Sequence, residues 1–299
     1  MLSSCEFSSL KDGQLAPLRL HQRSLQRSVF ASGIGVFTGK KVSIRLCPSE
    51  ANAGIVFQRV DLPHKPILPA RSEFVQGTPR CTLIGNGQDS VETVEHLLAA
   101  LRAYGIDNVL IEMDGGEVPI FDGSSQRFVE MIEEAGIQEL AEKKEYYRLK
   151  SPVFWSQGEI HLIALPSDEY RISYTLHYPH PATIGTQFYT FALNQERFKN
   201  EIASCRTFSI YEEIAPMIEK GLVKGGSLDN AVIFKEGRVV NPGGLRFPDE
   251  MVRHKILDLI GDLSLVPPFL AHVVAVRSGH ASNNAFAKEL FNHIVMEQL

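Results

Sequence analysis

The sequence is short of cysteine, of tryptophan, of long apolar runs and of excess charge, and most of these shortages narrow what the chain can be. Four cysteines (Cys5, Cys47, Cys81 and Cys205) are scattered through 299 residues without a Cys-x-x-Cys pair. That argues against a disulfide framework and against a thiolate metal site, and it fits a reducing compartment. Any metal would then be held by histidine and carboxylate. No uninterrupted apolar stretch reaches the roughly 20 residues of a membrane-spanning helix. The formal net charge is only −5, so nothing suggests an electrostatic grip on nucleic acid. The single tryptophan supports no aromatic argument of its own.

What remains is the composition of a soluble globular protein, 44% hydrophobic and 22% charged, with enough length for two ordinary domains. The opening segment "MLSSCEFSSLKDGQLAPLRLHQRSLQRS" contains Glu6 and Asp12 and no continuous apolar core. It reads as a flexible extension over residues 1–25 rather than a secretory signal, with the cytoplasm as the default address.

Beyond it, "RSVFASGIGVFTGKKVSIRLCP" predicts two strands around glycine-rich turns, the second marked by alternating Val42, Ile44 and Leu46. "SVETVEHLLAALRAYGIDNVLIEM" predicts a helix stopped near Gly105 and a buried strand from Asn108. In "DGSSQRFVEMIEEAG", Ser124 is placed to cap an amphipathic helix. The charged stretch "AEKKEYYRLKSP" is the candidate linker, dividing a first α+β domain (26–145) from a second (146–299) that begins with strand-like "SPVFWSQGEIHLIAL".

A weak internal repeat relates the halves. "TVEHLLAAL", "NVLIEMDG" and "DGSSQRFVEMI" have counterparts in "MVRHKILDL", "HVVAVRSG" and "HASNNAFAKEL". His96 and Asp122 are 26 residues apart, as are His254 and His280. Two copies suggest duplicated α+β domains related by pseudo-symmetry, with His96 and His254 at equivalent points on equivalent helices. In "MVRHKILDLIGDL" the helical period gathers Val252, Ile256, Leu259, Ile260 and Leu263 on one side and His254, Asp258 and Asp262 on the other, beside Gly261. The polar stripe is either a solvated face with a minor His–Asp pair or part of a metal site lacking one ligand, which His96 would supply.

Hydrolytic zinc sites commonly use three protein ligands and leave a position for water, whose pKa the ion brings towards neutrality. His96, His254 and Asp258 make such a set. Glu95, next to a ligand, is placed as a general base. His280, in the loop "RSGHASNNAF" ahead of a helix that Ser282 could cap, is placed to stabilise an oxyanion and protonate a leaving amine. Asp262 would orient it and keep it charged. Lys255, about 100° round the helix from His254, would suit an anionic substrate group at a site rim.

These motifs together ("TVEHLLAAL", "CRTF", "GGSLDNA", "VRHKILDLIGDL" and "SGHASNN") resemble the UDP-3-O-acyl-N-acetylglucosamine deacetylases of lipid A biosynthesis, from about Gln26 to the C-terminus. The resemblance implies a zinc amidase that removes acetate from a UDP-linked acylated amino sugar, with ferrous iron as the cellular alternative. The implied fold is two similar layered α+β domains, helical layers facing each other, with the site at their junction. By the same resemblance His96, His254 and Asp258 bind zinc, Glu95 is the base and His280 its protonated partner. Thr207 bonds the oxyanion, Lys255 contacts phosphates, and Phe208 lines the acyl region. The insert at about 208–236 would form an acyl-chain passage, in keeping with an apolar helical face of Ile210, Ile214, Met217, Ile218 and Leu222. No obligate protein partner and no nucleic acid is implied, only a transient contact with a membrane surface through the acyl chain. Phe37, where the family commonly has His, and Pro179, where relatives often carry Asn, depart from the pattern. Two rival readings are a His₂-carboxylate iron oxygenase and a non-catalytic duplicated α+β binding module, which the acidic balance disfavours.

Overall fold

A computed structural model describes residues 21–180 and 183–297; Met1–Leu20 of the expected extension lies outside them. The first half contains β1 (His21–Leu25), β2 (Val29–Ile34), β3 (Lys41–Pro48), β4 (Ile55–Arg59) and β5 (Ile67–Pro69). Three short strands follow, β6 (Val75–Gly77), β7 (Leu83–Gly85) and β8 (Ser90–Glu92), and lead into helix α1 (Glu95–Tyr104). Then come β9 (Val109–Met113), α2 (Gln126–Ala135) and β10 (Ile137–Lys143). The main sheet has the order β2-β3-β9-β4-β5. Alternation in β3 turns Val42, Ile44 and Leu46 into the core as its pattern predicts. Helix α1 stops where Gly105 adopts the left-handed conformation, φ 65°, which costs little without a Cβ.

Two segments are more ordered than their composition suggests. Residues 21–25 are not a flexible tail. They pair antiparallel with β10, Leu25 opposite Ile137, because Leu25 has a fully buried place in the core. The charged stretch after Ala141 is not an open linker either, since β10 runs to Lys143 and the next strand begins at Tyr146. A smaller difference is at α2, where Ser125 occupies the cap position and Ser124 Oγ accepts from the Gln126 N–H at 3.2 Å.

The second half contains β11 (Tyr146–Leu149), β12 (Val153–Gln157), β13 (Ile160–Pro166), β14 (Arg171–Tyr178) and β15 (Gly185–Ala192). A short helix α3 (Gln195–Arg197) precedes β16 (Phe208–Ile210), α4 (Tyr211–Glu219), β17 (Val232–Lys235) and β18 (Arg238–Val239). Helix α5 (Glu250–Asp262), β19 (Phe269–Val276), α6 (His280–Phe291) and β20 (Ile294–Glu297) complete the described chain. Strand β19 is central, pairing antiparallel with β13 and parallel with β14 and β11.

Helix α2 packs on β2, α5 on β14 and β15, α6 on β12 and β13, and α4 on the small sheet of β16 and β17, while α1 packs against α5 across the junction. One apolar cluster runs through both halves. At the helix crossing a Cβ on Gly261 would lie 2.1 Å from the Glu95 carbonyl oxygen, so only glycine permits this separation. No helix among the described residues is long and apolar enough to cross a membrane.

Candidate metal centre and catalytic cavity

The polar stripe of α5 is not a solvated face: His254, Asp258 and Asp262 are 2%, 3% and 0% exposed. One face of the helix meets the sheet and the other meets α1, so both are covered. Asp258 Oδ1 lies 3.3 Å from His254 Nε2 and 3.5 Å from His96 Nε2. The two imidazoles stand nearly perpendicular, with centroids 5.0 Å apart. One ligand atom from each of the three residues falls within 4.8 Å of the others.

Four observations test whether this set suits a divalent cation. Asp258 Oδ1 is buried and has no hydrogen-bond partner among the described residues, a costly arrangement for an ionised oxygen unless a cation completes it. His254 Nδ1 faces the Cys205 carbonyl at 3.0 Å; a carbonyl can only accept, so the proton sits on Nδ1 and Nε2 offers its lone pair to the site. Burial holds the His254 pKa down at about 4, only partly offset by Asp258, which keeps the ring neutral as ligation requires. Burial opposes ionisation of Asp258, yet His254, Lys255 and His280 outweigh it and hold the carboxyl well below its usual range. The residues fit the ion.

Beside this set, Glu95 is 3% exposed. Its Oε2 accepts from the Thr82 N–H at 3.1 Å and its Oε1 stands 3.8 Å from His280 Nε2. Burial raises its pKa against the pull of His280 and His96. His280 is the first residue of α6, and its Nδ1 meets Asp262 Oδ2 at 3.0 Å. Burial would discharge that ring, but Asp262, then Glu95 and Asp258, raise its pKa to about 9. Ser282 Oγ closes the first turn of α6, accepting from the Gly279 N–H at 2.9 Å.

Glu95, His96, His254, Asp258 and His280 line one cavity of about 600 Å³. Thr207 and Phe208 are in its wall, with the Thr207 N–H donated to the Gly123 carbonyl at 2.8 Å. The Phe208 ring stands edge-on to Tyr178. Lys255 is placed differently from the rim position anticipated: its side chain is 14% exposed and its Nζ donates to Asp258 Oδ2 at 2.7 Å. Ion pairing outweighs burial and raises its pKa. The apolar insert face is also shorter than the periodicity suggests. Ile210 belongs to β16 and Leu222 follows the turn at Gly221, leaving Ile214, Met217 and Ile218 of α4 to line the cavity. No residue of α4 is fully buried, so that face is not ordinary core. Phe37 lines the cavity too, whereas Pro179 is exposed beside Tyr178.

Sequence reasoning missed the residues that hold the site in place. Asp262 Oδ1 accepts from Thr82 Oγ1 at 2.5 Å and its Oδ2 from Asn283 Nδ2 at 2.8 Å. Asn284 Nδ2 reaches Thr82 Oγ1 at 3.0 Å and the His280 carbonyl at 2.9 Å. Cys205, Asn283 and Asn284 stand inside motifs already singled out, but polar residues bonded across the chain carry no periodic signal. Arg206 forms a buried pair with Glu250 at 2.8 Å, tying the start of the insert to α5.

Comparison with known proteins adds a second, independent line. The sequence profile of the family described as "UDP-3-O-acyl N-acetylglycosamine deacetylase" matches residues 22–292. A UDP-3-O-acyl-N-acetylglucosamine deacetylase of Chlamydia pneumoniae is 52% identical over 271 residues, 90% of this chain and 96% of that protein. One from Chlamydia trachomatis serovar L2 is 50% identical over 278 residues, covering 93% and 97%. One from Chlamydia felis is 48% identical over 274 residues, covering 91% and 98%.

Proposed function

The chain belongs to the UDP-3-O-acyl N-acetylglycosamine deacetylase family, and on that premise we propose that it hydrolyses the acetamide of a UDP-linked 3-O-acyl-N-acetylglucosamine, releasing acetate, in lipid A biosynthesis. The observation that carries this is the convergence of His96, His254 and the orphaned Asp258 Oδ1 within reach of one ion, beside Glu95 and His280. Zinc is the metal we assign, held by those three residues. A divalent ion held there would supply Lewis-acid chemistry, acidifying a water towards neutrality and polarising an amide carbonyl.

Every other part falls to the chain. Glu95, its Oε2 fixed by the Thr82 N–H, takes the proton of the attacking water. Its raised pKa suits it to return that proton later. His280, charged below about pH 9, stabilises the developing oxyanion, and the Thr207 hydroxyl donates to the same oxygen. A proton then passes to the leaving amine as the C–N bond breaks. Asp262 keeps His280 oriented. Lys255 holds Asp258 Oδ2 and, as a cation lining the cavity, is the residue we assign to the substrate's phosphates. Phe208, with Ile214, Met217 and Ile218, offers an apolar wall to the acyl chain. The same proposal takes the chain to divide at residues 145/146, with an acyl-binding insert at about 208–236. It takes the protein to be cytoplasmic, touching membrane only transiently through its substrate's acyl chain.

The test is acetate release from UDP-sugars bearing a series of acyl lengths, with elemental analysis of the metal. Activity is expected to be lost on chelation, restored by Zn²⁺, independent of oxygen, and abolished in Glu95→Ala. Full turnover by Glu95→Ala would remove the base assignment, and an oxygen requirement would favour an iron oxygenase.

A further inference from the structure

We propose that Thr82 is a positioning residue that locks the base on one half of the protein to the acid pair on the other. The inference rests on the reading of Glu95 and His280 given above. Thr82 is fully buried and donates two bonds in different directions. Its backbone N–H donates to Glu95 Oε2 at 3.1 Å, and its hydroxyl donates to Asp262 Oδ1 at 2.5 Å, across 180 residues. The hydroxyl has no freedom to turn away, because Asn284 Nδ2 donates to it at 3.0 Å and so leaves its own hydrogen for the carboxylate.

Asp262 is thereby held at both oxygens. Oδ1 is held by Thr82, while Oδ2 accepts from Asn283 at 2.8 Å and meets His280 Nδ1 at 3.0 Å. A carboxylate fixed at only one oxygen can swing about its Cβ–Cγ bond; fixed at both, it sets the plane in which the His280 ring must lie. The ring places Nε2 3.8 Å from Glu95 Oε1, and the same Thr82 backbone fixes Glu95. One residue therefore sets the spacing between proton acceptor and proton donor, though it lies on neither helix that carries them.

The two bonds separate experimentally, since a side-chain change removes the hydroxyl and spares the backbone N–H. Thr82→Val keeps shape and branching. It should lower kcat roughly ten- to hundredfold, as loss of an orienting outer partner does, with KM and bound metal unchanged. Thr82→Ser, which restores the hydroxyl, should recover kcat to within a few-fold. A second readout needs no substrate: the downfield proton resonance of His280 Nδ1–H bonded to Asp262 should shift or broaden in Thr82→Val and return in Thr82→Ser. Should Thr82→Val fail to fold, Asn284→Ala, which frees the hydroxyl to rotate, should lower kcat in the same sense but less. The proposal is overturned if wild-type kcat and an unmoved imidazole resonance persist without the hydroxyl, or if Thr82→Ser is as impaired as Thr82→Val. A wild-type protein releasing no acetate would instead sink the deacetylase reading, and the imidazole resonance would still decide the role of Thr82.

Discussion

Gly261→Ala puts the geometry of the site to its most direct test. The added methyl would stand 2.1 Å from the Glu95 carbonyl oxygen and 2.9 Å from its Cα, where ordinary contact begins near 3.4 Å. Both atoms are backbone, so no side chain can rotate aside. Helices α1 and α5 must separate by on the order of an ångström to restore contact distance. Overpacking of this kind costs roughly 1–3 kcal/mol of stability, which the protein should survive. The site should not. His96 and Glu95 ride on α1 while His254 and Asp258 ride on α5, so the shift opens the ligand set along the line that joins its two halves. A misplacement near 1 Å costs about a hundredfold in rate, and affinity for the metal should fall with it. The assay is metal stoichiometry after dialysis, alongside kcat/KM and the thermal midpoint. A folded Gly261→Ala protein with full metal content and unaltered kcat/KM would refute the claim that this close crossing builds the site.

Four further outcomes are expected. Asp258→Asn preserves shape but removes the charge that faces both imidazoles and Lys255; elemental analysis should find little bound metal, and near-unit stoichiometry would count against a shared ion. The pH profile of kcat/KM should fall through an alkaline limb at about 9, the value to which His280 is raised, or somewhat lower when a bound cation offsets Asp258. Activity is retained below that limb because the charged ring is the working form, and His280→Ala should abolish it. The same raised pKa stabilises the fold fully below the unfolded value of roughly 6.5 and stops doing so as pH rises through about 9, so thermal midpoints should decline over that window. Arg206→Ala strips the guanidinium from a Glu250 that is 0% exposed, leaving it only the N–H groups of Arg206 and Arg246. That should cost roughly 3 kcal/mol and lower Tm by about 10 °C; a shift within about 2 °C would show the pair to be dispensable.

Much of the local structure is legible in the residues alone. Alternation gives β3, Gly105 ends α1, and four-residue spacing places His254 and Asp258 on one side of α5. The scarcity of paired cysteines leaves histidine and carboxylate as the only ligand chemistry. These are properties of neighbouring residues, and helical and strand periods record them directly. What periodicity cannot record is which element covers a given face. The stripe of α5 looks solvated in isolation and is buried only because α1 closes on it at Gly261. Residues 21–25 read as tail until Ile137–Lys143 supplies a pairing partner. Lys255 is drawn inward because Asp258 needs a counter-charge, and Thr82 joins Glu95 to Asp262 through single polar contacts between distant parts of the chain. The ligand types and the helices that carry them were determined locally. Their convergence, and the hydrogen bonds that aim them, were decided only when two distant segments packed into one buried interface, where an unpartnered polar group is too costly to leave unplaced.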